Sequence, residues 1–163
     1  MLMAVIGTPE VEEKEYTFST PLLAGLSYRL VNHNSTLLRK KLSNCYSDLE
    51  RSIAKSKCED LYNTDDLVKR VLNKQSDLWV SVDKGENIRG CFVIGFGNLP
   101  RGKGINAEAI AGKFNFQIGV PVVEKYYKEL GFKFFEMTGR KGWKKIMKPL
   151  GYEFKSITIR KRL

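Results

Sequence analysis

The chain has 163 residues, of which 42% are hydrophobic and 28% are charged. These proportions are typical of a globular protein, and no apolar run reaches the roughly 20 residues that a membrane-spanning helix needs. The length predicts a single domain over residues 1–163. Sparse cysteines without metal-type spacing and a single histidine, His33, argue against a disulfide framework, a metal site and a Ser-His triad. The start of the chain has no signal pattern, which favours a cytoplasmic location.

The net charge of +10 is concentrated at the end of the chain. Residues 133–163 hold seven Lys and three Arg against two Glu, which leaves a charge of only +2 for everything before them. Such asymmetry indicates a phosphate-bearing partner, either a nucleic acid or a nucleotide cofactor. The alternative is a solvated basic face that keeps the protein soluble.

Residues 1–28 carry the first strand signal. Residues 16–20 alternate β-prone side chains, which predicts a first strand or an N-terminal arm on a sheet. Pro21 ends that element. The start of a short helix is then predicted from four leucines: Leu22, Leu23, Leu26 and Leu30.

Two amphipathic helices follow. Asn34 or Ser35 offers the N-cap of the first helix, which runs to about Ser56. Thr64, with two acids after it, offers the N-cap of the second. The predicted inward-facing residues are Leu38, Leu42, Cys45 and Leu49 on the first helix, and Leu67, Val68, Val71 and Leu72 on the second.

The pattern then changes to that of a sheet. Residues 77–96 predict a hairpin, with a tight turn at 84–87 and an unbroken apolar run at 91–94 that favours an interior strand. Residues 97–104 are predicted to be a loop from their glycine content. The next strand is either 105–111 or 114–118, and Pro121 fits the first position of the helix after it.

The tail contains two copies of one helix-ending motif. Leu130-Gly131-Phe132 and Leu150-Gly151-Tyr152 each predict the end of a helix, a glycine in the left-handed conformation and an aromatic residue that packs back on the last turn. Strands are therefore predicted at 133–138 and 156–162. The short helix between them has a predicted buried face of Trp143, Ile146, Met147 and Leu150.

This order of elements predicts an α+β fold, with a central mixed β-sheet flanked by helices. It resembles the GNAT superfamily of acyl-CoA-dependent N-acyltransferases. The matching segments are the turn Asp83–Gly90, which is similar to the hairpin between the family's second and third strands, and the two helix ends 128–132 and 148–152. The tail motif Met137–Trp143 looks most like the small GNAT-like proteins of tailed bacteriophages, a group that includes virion-associated proteins rather than enzymes.

The resemblance implies acyl transfer from acetyl-CoA to an amine. The family's fourth strand splays from its fifth, and pantetheine lies in the gap. Its pyrophosphate-binding loop, placed at a helix N-terminus, has the form Gln/Arg-x-x-Gly-x-Gly/Ala. Here Arg101, Gly102, Lys103 and Gly104 begin a match that fails only at its last position, Asn106. The alternative for this segment is a glycine-rich hairpin tip with exposed charges.

The same chemistry needs a base for the amine proton and often an acid for the leaving thiolate. Glu108, if it lies on the fourth strand, is the first candidate base, and Glu136 is the second. The alternative for each is a surface or salt-bridged glutamate. The family's usual acid is a tyrosine four residues before the second glycine-aromatic pair, and Met147 occupies that position here.

A second set of candidates is basic. The exposed side of the last helix is predicted to carry a patch for nucleic acid or a protein partner, formed by Arg140, Lys141, Lys144, Lys145 and Lys148. Two functions therefore stay open. One is an N-acetyltransferase acting on an unidentified amine. The other is a catalytically degenerate GNAT-fold protein of the phage type, which binds a phage or host protein, or nucleic acid, in the host cell or the virion.

Overall fold

The computed structural model describes residues 16–139, 142–155 and 160–161. Within them, strands adjacent in sequence are also adjacent in one mixed sheet. Strands β1 to β5 run antiparallel to their neighbours, whereas β6 runs parallel to β5. The α+β class predicted from the sequence is therefore confirmed. The strands are β1 (Tyr16–Ser19), β2 (Ser27–Val31), β3 (Ser76–Val82), β4 (Ile88–Leu99), β5 (Gly102–Gly112) and β6 (Phe134–Met137).

Helices cover both faces of the sheet. Helices α1 and α2 pack on one face, and α3 and α4 pack on the other, so each face has its own apolar core. None of the described helices is long and apolar enough to cross a lipid bilayer. The helices are α1 (Leu38–Ser56), α2 (Thr64–Leu72), α3 (Phe116–Glu129) and α4 (Gly142–Met147), and a 3₁₀ turn (Lys148–Leu150) follows α4.

The predicted end of α1 at Ser56 is confirmed, but its start is corrected, because the helix begins at Leu38 with Leu37 at the N-cap and not Asn34 or Ser35. The buried stripe of α1 is the one read from the sequence, extended by Ile53. Helix α2 is capped one residue earlier than predicted, because the Asn63 side chain accepts a hydrogen bond from the Asp66 amide and the Asp66 carboxylate accepts one from the Asn63 amide. This reciprocal capping box leaves Thr64 inside the first turn.

The β4–β5 hairpin corrects the loop predicted at residues 97–104. Strand β4 continues to Leu99, and β5 begins at Gly102, with Gly97 paired to Gly104 across the ladder. Backbone hydrogen bonds hold such a ladder without side chains, so a high glycine content is compatible with a strand. Of the two candidates for the next strand, 105–111 is confirmed, whereas 116–118 is helical.

Two further boundaries differ from prediction. Helix α3 begins at Phe116, where the Asn115 side chain accepts a bond from the Gln117 amide, and Pro121 lies inside the helix. The short helix predicted from Leu22 is wrong, because Leu23 and Leu26 bridge across a tight turn and place the following leucine in β2. The Asn115 cap therefore sets the start of α3 in place of Pro121, and a turn replaces the helix that the leucines predicted.

The predicted left-handed glycines at the two helix ends of the tail are confirmed. Gly131 and Gly151 both have φ of +85°, the left-handed conformation that closes a helix. On α4, Met147 is buried as predicted, but Ile146 is 40% exposed. The strand predicted at 156–162 lies mostly outside the described residues.

Candidate functional site at the split between β5 and β6

The sheet opens between its two parallel strands. Pairing joins Gly104–Ala107 of β5 to Phe134–Met137 of β6, and β5 then continues to Gly112 with no β6 residue beside it. The second half of β5 therefore has a backbone edge that faces a cleft. The cleft is lined from α1, from the α1–α2 connection, from β5 and from the segment that leads from β6 into α4.

The backbone edge exposed by this split is already hydrogen-bonded. The Tyr62 hydroxyl donates to the Glu108 carbonyl at 2.8 Å, and the Ser52 hydroxyl donates to the Ile110 carbonyl at 2.7 Å. Both donors belong to the helical layer that packs on this face of the sheet. Two acceptors that an amide-bearing ligand would use in the split are thus satisfied by the protein itself.

Trp143 lies in the split. Its side chain lines the cleft with Thr138 and Ile110, and its ring makes an edge-on contact with Phe116 at the start of α3, with centroids 5.6 Å apart. The preceding chain fits closely around it, since a methyl group built on Gly139 would lie 2.6 Å from Trp143 Cδ2. The cavity that remains has a volume of about 10 Å³, which holds about one water molecule.

Glu108, the first candidate base, lies on β5 with its carboxylate engaged on both oxygens. Arg70 of α2 pairs with Oε1 at 2.6 Å, and the Ser76 hydroxyl of β3 donates to Oε2 at 2.6 Å. The carboxylate reaches β3 by passing over Gly95 of β4, which has no side chain to block it. The salt-bridged alternative is therefore the arrangement observed.

Glu136, the second candidate base, does not share a cleft with Glu108. It is exposed on β6 and lines a second, open groove of about 710 Å³, which lies over Ile105 of β5, over β6 and between α3 and residues 150–155. In that groove Tyr152 donates a hydrogen bond to Glu124. The structure therefore does not bring the two predicted carboxylates together.

The predicted pyrophosphate loop is corrected by its position. Arg101, Gly102, Lys103 and Gly104 form the turn and the first residues of β5, so the alternative of a hairpin tip is confirmed. Helix α3 begins beyond the opposite end of β5. The segment that does precede α3 uses its amides internally, because Lys113 donates to the Arg89 carbonyl at 2.7 Å and the first turn is capped by a side chain.

A buried polar cluster on the α3 side was not found from the sequence. The Tyr127 hydroxyl donates to Asp77 at 2.5 Å and accepts from the Trp79 indole at 3.2 Å, and His33 Nε2 lies 3.6 Å from the Asp77 carboxylate. Burial raises the pKa of both Tyr127 and Asp77. The signal that could have found it is an aspartate at the start of a strand whose alternate positions are apolar. Tyr127 is thus a core residue, and Met147, at the family's acid position, is buried as well.

The basic candidates are described in part. Lys144, Lys145 and Lys148 are exposed on α4 and the turn after it, and the Lys144 ammonium lies 5.0 Å from the centre of the Phe154 ring. Arg140 and Lys141 lie outside the described residues. Across the described parts of the chain, no group of three or more His, Cys, Asp or Glu side chains could hold a metal ion.

Solved acetyltransferase structures superpose on most of this chain. A predicted acetyltransferase from Clostridium acetobutylicum, solved with acetyl-CoA, gives a TM-score of 0.60 at 14% identity, over 84% of this chain and 96% of its own. An aminoglycoside acetyltransferase from an uncultured soil metagenomic sample gives 0.59 at 14% identity, over 85% and 97%. A GNAT family acetyltransferase from Staphylococcus aureus gives 0.53 at 17% identity, over 85% and 99%. The chain has the fold of the GNAT acetyltransferases.

The GNAT fold suggests which strands of the family correspond to the two that separate here. If the turn between β3 and β4 corresponds to the family's hairpin between its second and third strands, as the sequence resemblance implies, β5 and β6 correspond to the fourth and fifth strands, between which the family holds pantetheine. At these identities the likeness establishes the fold alone. No protein-family model matches the chain, and no curated protein sequence matches it either.

The contact between Glu108 and β3 predicts a coupled pair of substitutions. A methyl group on Gly95 would lie 2.7 Å from the Glu108 carboxyl carbon. We expect Gly95→Ala to lower the free energy of unfolding by about 1–3 kcal/mol, because the carboxylate must leave its partners. Glu108→Ala also destabilises, because the Ser76 hydroxyl and the Arg70 guanidinium lose the carboxylate to which they donate. The double variant should lose clearly less than the sum, since only the Asn106 side chain, with Oδ1 at 2.9 Å, then stays close to the methyl group.

Urea denaturation of the single and double variants measures this coupling. Gly97→Ala is the matched control, because Gly97 lies on the same strand and has no atom within 4 Å of an added methyl group. It should change stability by less than about 0.5 kcal/mol. Additive losses from Gly95→Ala and Glu108→Ala would show that the two residues are not in contact as described.

Proposed function

We propose that this protein uses the GNAT fold as a binding scaffold and does not transfer an acyl group from acetyl-CoA. The observation that carries the proposal is Trp143, which stands in the split between β5 and β6 and packs on Phe116. A pantetheine arm needs this gap along its length, and the remaining cavity has room for little more than a water molecule.

Other changes around the split support the same proposal. The Glu108 carboxylate is neutralised by Arg70, and a base must have a free carboxylate oxygen to accept the amine proton. The N-terminus of α3, where the family binds pyrophosphate, carries an asparagine cap in place of a glycine-rich loop. Met147 supplies no proton for a leaving thiolate. Each change removes a different part of the catalytic apparatus.

The partner we propose is a nucleic acid, bound by a lysine face that we define as Lys144, Lys145 and Lys148. These side chains are exposed, and the chain carries a net charge of +10. Clustered cations bind phosphates by releasing the counterions that surround a nucleic acid. We propose the host cell or the virion as the location, on the resemblance of the tail motif to phage proteins, and a phage or host protein as the alternative partner.

A second candidate function is an N-acetyltransferase. It is favoured by the retained parallel split between β5 and β6, and by the likeness to a structure that was solved with acetyl-CoA. On this reading the acceptor amine attacks the thioester carbonyl, a C–N bond forms, the C–S bond breaks and CoA leaves as the thiolate. Glu108 or Glu136 would take the amine proton. Trp143 would first have to leave the split.

Thermal unfolding with millimolar acetyl-CoA separates these two functions. A ligand at a hundred times its dissociation constant stabilises a protein by about 2.7 kcal/mol. We expect no shift in the unfolding temperature of the wild type, because the split is filled. The control variant is Lys144→Glu with Lys145→Glu, which removes cations that could bind the phosphates of acetyl-CoA from outside. A shift that persists in this variant would mean that acetyl-CoA binds at a site other than these lysines, and would overturn the proposal in favour of the acetyltransferase.

Binding of a fluorescein-labelled DNA duplex, followed by anisotropy over a series of salt concentrations, tests the lysine face. We expect affinity to fall steeply with salt, and Lys144→Glu with Lys145→Glu to weaken binding at least about tenfold and to flatten the salt dependence by about one unit of slope per lysine. The matched control is Lys40→Glu with Lys84→Glu, which changes the net charge equally at exposed sites elsewhere. An equal loss in the control, or no binding at low salt, would contradict a role for this face.

A further inference from the structure

Strand β4 extends beyond the strand beside it. Pairing between β3 and β4 ends at Ser76 and Gly95, whereas β4 runs on to Leu99 and stays paired with β5 on its other side. Residues Phe96–Leu99 therefore have a backbone edge with no neighbouring strand in the part of the chain that the structure describes. Such an edge offers N–H and C=O groups that another extended chain can pair with.

The edge is open and apolar. Phe96 is 40% exposed and Leu99 is 41% exposed, and a methyl group built on Gly97 would meet no atom within 4 Å. The Phe96 ring is held from beneath by Tyr127 and Phe132, whose ring centroids lie 6.2 Å and 5.9 Å away. A partner would thus meet a preformed apolar surface and would have little to reorganise.

This edge lacks the protection that strand edges usually carry. Proteins commonly blunt an edge with charged residues, with proline or with a covering element. None of the residues Phe96–Leu99 is charged, and Pro100 lies in the turn beyond them. The free half of β5 is different, because hydroxyl groups of Ser52 and Tyr62 cap its carbonyls. Among the described residues of this sheet, then, the free edge of β5 is capped and the free edge of β4 has no strand beside it.

The charge around the edge selects the kind of partner. Arg101 and Lys103 are exposed at the tip of the hairpin, and the Lys133 side chain lies beside Gly102. The sequence from Gly95 to Ala107 contains no acidic residue. A second copy of this chain would bring the same cations to the contact and be repelled, whereas acidic side chains would be attracted.

We propose that Phe96–Leu99 binds an extended acidic segment of a partner protein, which adds a strand to the edge of β4. Backbone groups of the segment would pair with the free edge, and its carboxylates would lie near Arg101 and Lys103. Phe96 and Leu99 face opposite sides of the sheet, because they are three positions apart on the strand, so the apolar side chains of the segment would contact one or the other. The site belongs to different residues from the lysine face and does not depend on the state of the β5–β6 split.

A fluorescein-labelled peptide of alternating valine and glutamate is the probe, and anisotropy is the readout. We expect saturable binding to the wild type. Methylating alternate backbone nitrogens of the peptide keeps its side chains and charge but removes strand hydrogen bonds, and should weaken binding by at least about tenfold. Equal binding of the two peptides would mean charge attraction alone and would overturn the proposal, as would no binding of either.

Variants of the protein locate the site. Leu99→Asp and the pair Arg101→Glu with Lys103→Glu should each weaken binding about tenfold or more, because they place negative charge beside an acidic segment. Lys40→Glu with Lys84→Glu has the same change in net charge as the paired variant and should bind as the wild type does. Loss of peptide binding in that control would show that the site lies elsewhere on the protein. A wild-type dimer in sedimentation that Leu99→Asp dissociates would show a second copy on this edge and would also overturn the proposal.

Discussion

The short parallel pairing between β5 and β6 is the constraint on which the rest of this structure depends. The two strands share only the register from Gly104 with Phe134 to Ala107 with Met137, so half of β5 is left with an open edge. An unpaired edge inside a protein must find other hydrogen-bond partners or bind something. Here Ser52 and Tyr62 satisfy two of its carbonyls, and an indole fills the space beside it. The architecture of a ligand cleft is kept, and the cleft is filled by the chain's own side chains.

Contacts with the helices on both faces of the sheet hold the side chains that fill the cleft. Glu108 joins three strands and a helix through Arg70 and Ser76, and this is possible only because Gly95 leaves space on the strand between. On the other face, Trp143 contacts Phe116 in a core that also contains Met147. Groups that an acyltransferase would keep free thus take part in packing. A fold shared with enzymes is compatible with a binding role, since function resides in the site and not in the fold.

Local patterns in the sequence predicted the helices and strands, but they carried no information on contacts between residues that are far apart in the chain. The stripe of α1, the alternation in β3 and the closing glycines at 131 and 151 are short-range signals, and each was sufficient to place its element. The glycine content of residues 97–104 predicted a loop, but these residues form the β4–β5 ladder. Backbone hydrogen bonds hold this ladder, and they do not depend on composition. The partners of Glu108 lie 32 and 38 residues away in sequence, and the ring beneath Trp143 lies on another helix. Such contacts depend on the folded arrangement, so the candidate site could be named from the sequence but its state could not.

The central claim is that Trp143 and the capped edge of β5 close the split to pantetheine. A crystal structure of the protein grown with millimolar acetyl-CoA tests it most directly, because it shows the side chain and any ligand together. The account predicts electron density for the Trp143 ring against Phe116 and none for a pantetheine arm between β5 and β6. A pantetheine arm in the split, with Trp143 displaced and the Ser52 and Tyr62 hydroxyls withdrawn from β5, would contradict it.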